Sequence, residues 1–179
     1  MALQLSESLG RSATFRLLIV GEMRRGKTLL TQKLIETLKA LGLGSKITVI
    51  DLAPNYRGVG TPLNVEGIKV LRPEKLYAPR LMGRKCEEIW ALARQNADAT
   101  TKVFREFLRS PTPVLVVNDL TIHLHAGEPS LVIDAMERTK LFIANAYYGE
   151  SLRDECGLWE RERKLLEELF KRVDVVWRL

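Results

Sequence analysis

Phe15-Arg-Leu-Leu-Ile-Val20-Gly21-Glu22-Met23-Arg24-Arg25-Gly26-Lys27-Thr28-Leu29 is the stretch from which the rest of the chain can be read. Its first six residues are apolar apart from one arginine and are stopped by a glycine, the pattern of a buried strand. From Gly26 the spacing turns helical, with Leu30, Leu34, Leu38 and Leu41 on one stripe, until Gly42 and Gly44 end it. Between strand and helix stands G-x-x-x-x-G-K-[ST] without exception. Glycines in such a turn let successive N–H groups point inward at a phosphate, and the helix adds the positive end of its dipole. Lys27 reaches the outer phosphates as a point charge, and the Thr28 hydroxyl binds Mg²⁺. The expected phosphate-binding residues are therefore Gly21, Glu22, Met23, Arg24, Arg25, Gly26, Lys27, Thr28 and Leu29.

Outward from this turn, strands and helices alternate. Lys46–Ile50 reads as a second strand closed by Asp51, and Gly67–Leu71 as a short edge strand before Pro73. A long helix is expected over 84–108, with Cys86, Ile89, Ala93, Ala97, Thr100, Phe104 and Phe107 inward. Pro111 and Pro113 end it and start a strand over 114–117, followed by a helix over 131–137 and a strand over 140–144. A last helix spans 158–172, with Glu160–Lys164, Glu167–Lys171 and Glu168–Arg172 on a solvated face, and Val175–Trp177 closes the chain. Strands apolar on both faces, separated by helices, imply an α/β fold of three layers, a mostly parallel central sheet flanked by helices. Ligands in such sheets sit at the carboxyl ends of the strands. There the sequence puts Gly21, Asp51, Asn118, Asp119 and Asn145.

The 179 residues fit one domain, 1–179, with a polar leader over 1–13. Apolar residues at 46% and charged residues at 28% exclude disordered and fibrous classes. No apolar run is long enough to span a bilayer, and an acid stands where a signal peptide needs a positive charge, so a cytoplasmic location is expected. Cys86 and Cys156 lie far apart with no metal spacing and are expected as reduced, small thiols. Net charge is +6, and 66–109 carries ten Lys/Arg against six Asp/Glu. That leaves nucleic acid, a phosphorylated ligand or water as the partner of the basic segment. Only eight Asn and Gln fit a thermophilic source.

The 21–28 segment resembles the Walker A loop of the P-loop NTPase superfamily. Pro113–Asp119 resembles a Walker B strand, whose terminal carboxylate holds the Mg²⁺ shell. Here Asn118 follows the four apolar residues and Asp119 comes one step later, so either the strand ends early and Asp119 meets the metal, or Asp51 does. Leu120 replaces the water-polarising glutamate of AAA+ and RecA-like ATPases. Asn145-Ala-Tyr-Tyr148 keeps only the asparagine of a guanine-reading motif, so ATP is expected rather than GTP.

What remains resembles the class of dethiobiotin synthetase, the partition ATPases and the metal and cofactor accessory GTPases. That class has an acid ending the second strand, as Asp51 does, and often an asparagine after a later strand, as at Asn145. The resemblance implies that the 114–117 strand lies directly beside the 15–20 strand. It also implies an Mg²⁺-dependent ATPase or small-molecule phosphotransferase, with Lys27 and Asp51 catalytic, the nucleotide on the 21–29 loop and Asn145, and the metal on Thr28 with Asp119 or Asp51. Alternatives are an NTP-switched assembly protein with a protein partner, or a nucleic-acid-associated NTPase; an oligomer is compatible with each.

Three weaker signals complete the reading. Arg57, Arg80 and Arg84 lie in Gly/Pro-punctuated segments able to close over phosphates, or serve solubility. His123 and His125 share a face on an extended backbone but have no third metal ligand, and are expected as polar loop residues. Tyr147 and Tyr148 either stack on a base or sit half-buried at a strand end.

Overall fold

The computed structural model describes residues 13–179. Residues 1–12 of the polar leader, and any part they play in the domain reading, lie outside the described residues. In chain order the elements are β1 (Phe15–Gly21), α1 (Lys27–Leu38), β2 (Ile47–Asp51), β3 (Lys69–Leu71), α2 (Pro79–Met82), α3 (Cys86–Arg109), β4 (Val114–Asn118), α4 (Thr121–Leu124), α5 (Pro129–Glu137), β5 (Leu141–Tyr147), α6 (Leu158–Phe170) and β6 (Val175–Arg178). All strand pairs are parallel, in the order β3-β2-β4-β5-β1-β6. Among the described residues, no helix is long and apolar enough to cross a membrane.

The strand sequences dictate two covered faces, because successive side chains point to opposite sides of a sheet. Leu18, Val20, Ile50, Leu115, Val117 and Phe142 point one way, onto Phe104 and Phe107 of α3, Met136 of α5 and Leu166 of α6. Leu17, Ile19, Ile47, Val49, Val116 and Ile143 point the other way, onto Ile35 and Leu38 of α1. An all-parallel sheet needs this cover on both sides, since neither of its faces carries a polar stripe.

Several expectations change here. β5 lies between β1 and β4, so the 114–118 strand is not beside the 15–21 strand. The adjacency implied by the resemblance to dethiobiotin synthetase, the partition ATPases and the accessory GTPases is therefore not found. The missing glutamate after Asp119 is a matter of local chemistry, whereas strand order is set by which faces the crossover helices cover; the first does not report the second. In α1 the buried residues are Thr31, Ile35 and Leu38, while Leu41 is exposed. Leu41 belongs to a wider turn over Lys39–Leu43 in which Gly42 is left-handed, and this rotates it off the stripe. β5 runs to Tyr147, so Asn145 sits within the strand rather than after it. On α6, Lys171 pairs with Glu168, and Glu167 meets Arg163 instead.

Cys86 and Cys156 are joined in a disulfide, contrary to the expected reduced thiols. Packing brings together the start of α3 and the segment before α6, where Trp90 Nε1 also donates to the Cys156 carbonyl at 2.8 Å. Sequence separation gave no sign of this. Closing so long a loop in the unfolded chain should contribute roughly 2–4 kcal/mol. Cys86→Ser/Cys156→Ser, or the wild type under reductant, is therefore expected to melt several degrees below the oxidised wild type. Scanning calorimetry checks it; identical melting of the oxidised wild type and the double variant would show the bond to be energetically idle.

Candidate functional site: a phosphate-loop cavity

The turn between β1 and α1 has the geometry its glycines and lysine imply. Arg24 and Gly26 both take positive φ, 58° and 83°, which curls the backbone. Gly26 has open space around it, so it is the left-handed backbone that requires glycine there. It is the N-cap of α1 and offers no side-chain cap, which leaves the first helical N–H groups for an anion. Lys27 arches back over its own loop, donating from Nζ to the Gly21 carbonyl at 2.9 Å and the Glu22 carbonyl at 2.6 Å. An ammonium has three protons, so one is left for a phosphate. Burial lowers the Lys27 pKa, against the opposing pull of the Asp119 and Glu22 charges.

A cavity of about 440 Å³ opens over this turn. Met23, Arg24, Arg25, Gly26, Lys27, Thr28 and Leu29 form one wall, and Asp119, Thr121 and His125 belong to another. Gly21 and Glu22 face a smaller recess beside Tyr148 and Arg178 instead. Of the three arginines singled out in the sequence, Arg80 lines the cavity. Arg57 stacks over Tyr56, and Arg84 is exposed.

Asp119 reaches the cavity because β4 stops at Asn118 and the next residue turns left-handed, with φ 57°. Aspartate tolerates that conformation better than most residues. The turn is held by Asn145, whose Oδ1 accepts from Asp119 N at 2.9 Å, and by Thr121, which donates from Oγ1 to Asp119 Oδ1 at 3.0 Å. Desolvation pushes the Asp119 carboxyl up, while the Thr121 hydrogen bond and the charges of His125 and Lys27 pull the other way. A carboxylate and the Thr28 hydroxyl are hard oxygen donors, and the cost of charging Asp119 falls when a divalent cation sits beside it, so the two fit Mg²⁺.

Asp51 is not brought into the cavity. It is fully buried, and each oxygen takes two donors. Asn118 Nδ2 at 2.8 Å and Ala53 N at 3.3 Å reach Oδ1, while Leu63 N at 2.8 Å and Arg72 Nη2 reach Oδ2. A base or metal ligand needs a lone pair aimed at the reacting atoms, and Asp51 has none left. Its assignment to catalysis or metal binding is corrected on that ground. Asn145 lines the cavity, yet its side chain is engaged as well: Nδ2 donates to Asn118 Oδ1 at 2.7 Å and to Thr31 Oγ1 at 2.9 Å. It positions Asp119 rather than reading a base.

His123 is a helical residue, while His125 lies in the turn that caps the helix. Thr121–Leu124 is helical, so His123 and His125 point apart, and both are buried. His123 contacts Thr100 Oγ1 at 2.7 Å and the Glu128 carbonyl at 3.0 Å, and burial lowers its pKa. His125 joins Arg80 around Glu162 on the cavity side. Neither Arg80 nor Glu162 carries a sequence signal for this meeting, since they stand 82 residues apart. Among the described residues no cluster of three metal-ligating side chains exists. Tyr147 is buried, its hydroxyl accepting from Leu152 N at 2.9 Å, and Tyr148 donates to Glu167 at 2.9 Å.

No protein-family profile matches the chain, and no curated protein matches its sequence. The solved structures similar in shape include the following two. The flagellar accessory protein FlaH from Methanocaldococcus jannaschii is 13% identical, with a TM-score of 0.52, over 98% of this chain and 76% of that one. Pif1 helicase from Candida albicans is 12% identical, with a TM-score of 0.38, over 99% of this chain and 37% of that one. The fold resemblance rests on the first. The class so defined is the α/β fold of the P-loop NTPase type.

Glu22 ties the turn to the segment after β5. Its carboxylate accepts from Met23 N and Glu150 N at 2.9 Å, from Ser151 N at 3.2 Å, and from Ser151 Oγ. Gly149 admits it, because a Cβ there would stand 2.3 Å from Glu22 Oε2. Desolvation raises the Glu22 pKa, but the hydrogen bonds from Ser151, Met23 and Glu150 outweigh it and lower the value from 4.5 to about 2. With the folded value depressed, this contribution to stability is complete above 4.5 and is lost as pH falls from there through about 2. Glu22→Gln should therefore melt below the wild type near neutral pH, with the gap closing in acid. Melting curves of both proteins across that range test it; a gap that does not change with pH would refute the role of the charge.

Proposed function

We propose that this chain binds a nucleoside triphosphate, ATP in preference to GTP, with Mg²⁺, and acts on its γ-phosphate. The observation that carries the reading is a single cavity lined both by residues 23–28 of the loop and by Asp119. The loop amides, the α1 N-terminus and Lys27 supply positive charge for the phosphates. Thr28 and Asp119 would hold the cation, which on binding neutralises charge between the outer phosphates. Asn145 and Thr121 fix Asp119 in its left-handed turn, so the carboxylate is in place before ligand arrives. Preference for ATP rests on the lack of a guanine-reading carboxylate after Asn145.

Lys27→Ala should weaken Mg·ATP binding by about 10- to 100-fold, the scale of a lost hydrogen bond to a charged group. Asp119→Asn keeps the shape and removes the charge, so Mg²⁺ should raise ATP affinity in the wild type and not in this variant. Isothermal titration with and without Mg²⁺, beside a melting curve for each variant, measures both. Wild-type affinity in a folded Lys27→Ala protein would overturn the nucleotide assignment.

A further inference from the structure

The two edges of the sheet are built differently. β3 is three residues long, carries an exposed lysine at Lys69 and is soon followed by Pro73, features that discourage another strand from adding to it. β6 contains neither lysine nor proline, and one of its faces is apolar and open. Val175 is 40% exposed, Trp177 43%, and Leu179, one residue beyond the strand, 39%. Residues two apart share a face of a sheet, so these three form one stripe. An aromatic stripe beside an unpaired row of backbone groups is a surface on which another strand can pair.

The register shows which backbone groups are open. In a parallel ladder, alternate residues of a strand direct both N–H and C=O to the same neighbour. Phe15 N–H donates to the Lys140 carbonyl at 2.7 Å, and the Gly21 carbonyl accepts from Tyr148 N–H at 3.0 Å, so the odd residues of β1 serve β5. Arg16, Leu18 and Val20 therefore face β6. The Val20 carbonyl accepts from Leu179 N–H at 2.9 Å, and with Ile19 opposite Trp177 this turns Val175, Trp177 and Leu179 towards β1. Val176 and Arg178 are left with N–H and C=O directed outward, where among the described residues no strand lies.

A second copy of this chain fits the stripe and the open row together. A two-fold axis normal to the sheet sets two β6 strands antiparallel and keeps their apolar faces on the same side. Centred on Val176, the pairing lets Val176 exchange both backbone bonds with its copy, and lets Arg178 N–H reach the Asp174 carbonyl of the other chain. Val175 then stands opposite Trp177 on the apolar face, and Asp174 opposite Arg178 on the other. Asp174 Oδ2 accepts from Arg16 N at 2.7 Å, which leaves Oδ1 for a guanidinium. Arg178 lies over the rings of Tyr148 and Phe170 and, among the described residues, has no ion-pair partner. A shift of two residues one way sets Arg172 against Arg178, and the other way sets Val176 against Arg178; both lose the pair of opposite charges.

We infer that β6 is a homodimerisation edge, at which two copies of this chain pair antiparallel about Val176 into one continuous sheet. Each phosphate-loop cavity stays within a single chain, since β6 contributes no residue to it. Dimerisation is thus separable from nucleotide binding.

Sedimentation equilibrium of the full chain, from about 1 µM to about 1 mM, should show the mass rising from one chain towards two, as suits a small interface. Trp177→Lys removes the centre of the stripe. Val176→Pro removes an outward N–H and leaves the β1 ladder, which Val176 does not serve. Each should raise the dissociation constant by about tenfold or more. Asp174→Arg and Arg178→Asp set like charges opposite one another twice in every dimer and should weaken it similarly. An equimolar mixture of these two variants should recover pairing, because each then meets its opposite. Melting curves establish that each variant is folded; if Asp174→Arg is not, having lost its bond to Arg16, folded Trp177→Lys and Arg178→Asp decide the matter. A wild type that remains a single chain at about 1 mM overturns the inference. So does a dimer that folded Trp177→Lys leaves undiminished. A dimer that the two folded charge variants weaken and their mixture does not restore overturns pairing about Val176.

Discussion

A chain of buried polar side chains fixes the carboxyl ends of three strands. Asp51 at the end of β2 accepts from Asn118 at the end of β4. Asn118 in turn accepts from Asn145 in β5, and Asn145 reaches Thr31 on α1, whose hydroxyl donates to the Lys27 carbonyl. These side chains are all withdrawn from water, so an unmade bond would leave a polar group unpaired at about 1–3 kcal/mol. Satisfied at every link, the chain sets the register of β2, β4 and β5 more narrowly than their interchangeable Val, Ile and Leu side chains do. Lys27 and Thr28 stand on α1, and Asp119 stands one residue beyond β4.

The same chain explains why Asp119 meets the phosphate loop. Asn118 occupies the last strand position and faces inward to Asp51, so the acid has been displaced by one residue. A strand continued in register would carry Asp119 to the wrong face of the sheet. The left-handed turn, clasped by Asn145 and Thr121, returns it to the cavity. Burial then makes its charge expensive, and a cation beside Thr28 and Lys27 would offset that cost. The stability of the turn and the electrostatics of the site are thus one arrangement.

The segment between β5 and α6 secures the other side of the loop. It offers Glu150 and Ser151 to Glu22, the Leu152 carbonyl to Arg80, and Cys156 to the disulfide with Cys86. Through these contacts α3 and the phosphate turn are fastened to one strip of chain. Gly149, lacking a Cβ, lets the backbone approach Glu22 closely. A carboxylate in a loop that awaits phosphate looks unfavourable in the sequence. In the fold it lines a separate recess and is held by the N–H groups of Met23, Glu150 and Ser151 and by the Ser151 hydroxyl.

By itself the sequence determined the alternation of strands and helices, their order along the chain, and the turn at 21–28. Those features are local: apolar runs, helical spacing, and glycines at positions of positive φ act over a few residues. It also placed Lys27, Thr28 and Asp119 at one end of the sheet, because parallel strands align their carboxyl ends. Tertiary structure alone decided the rest. Strand order put β5 between β1 and β4, Asp51 was enclosed by four donors, and Cys86 met Cys156. Arg80, His125 and Glu162 converged from three separate elements. Each of these outcomes depends on which faces pack together across tens of residues, and residue spacing along the chain carries no record of that.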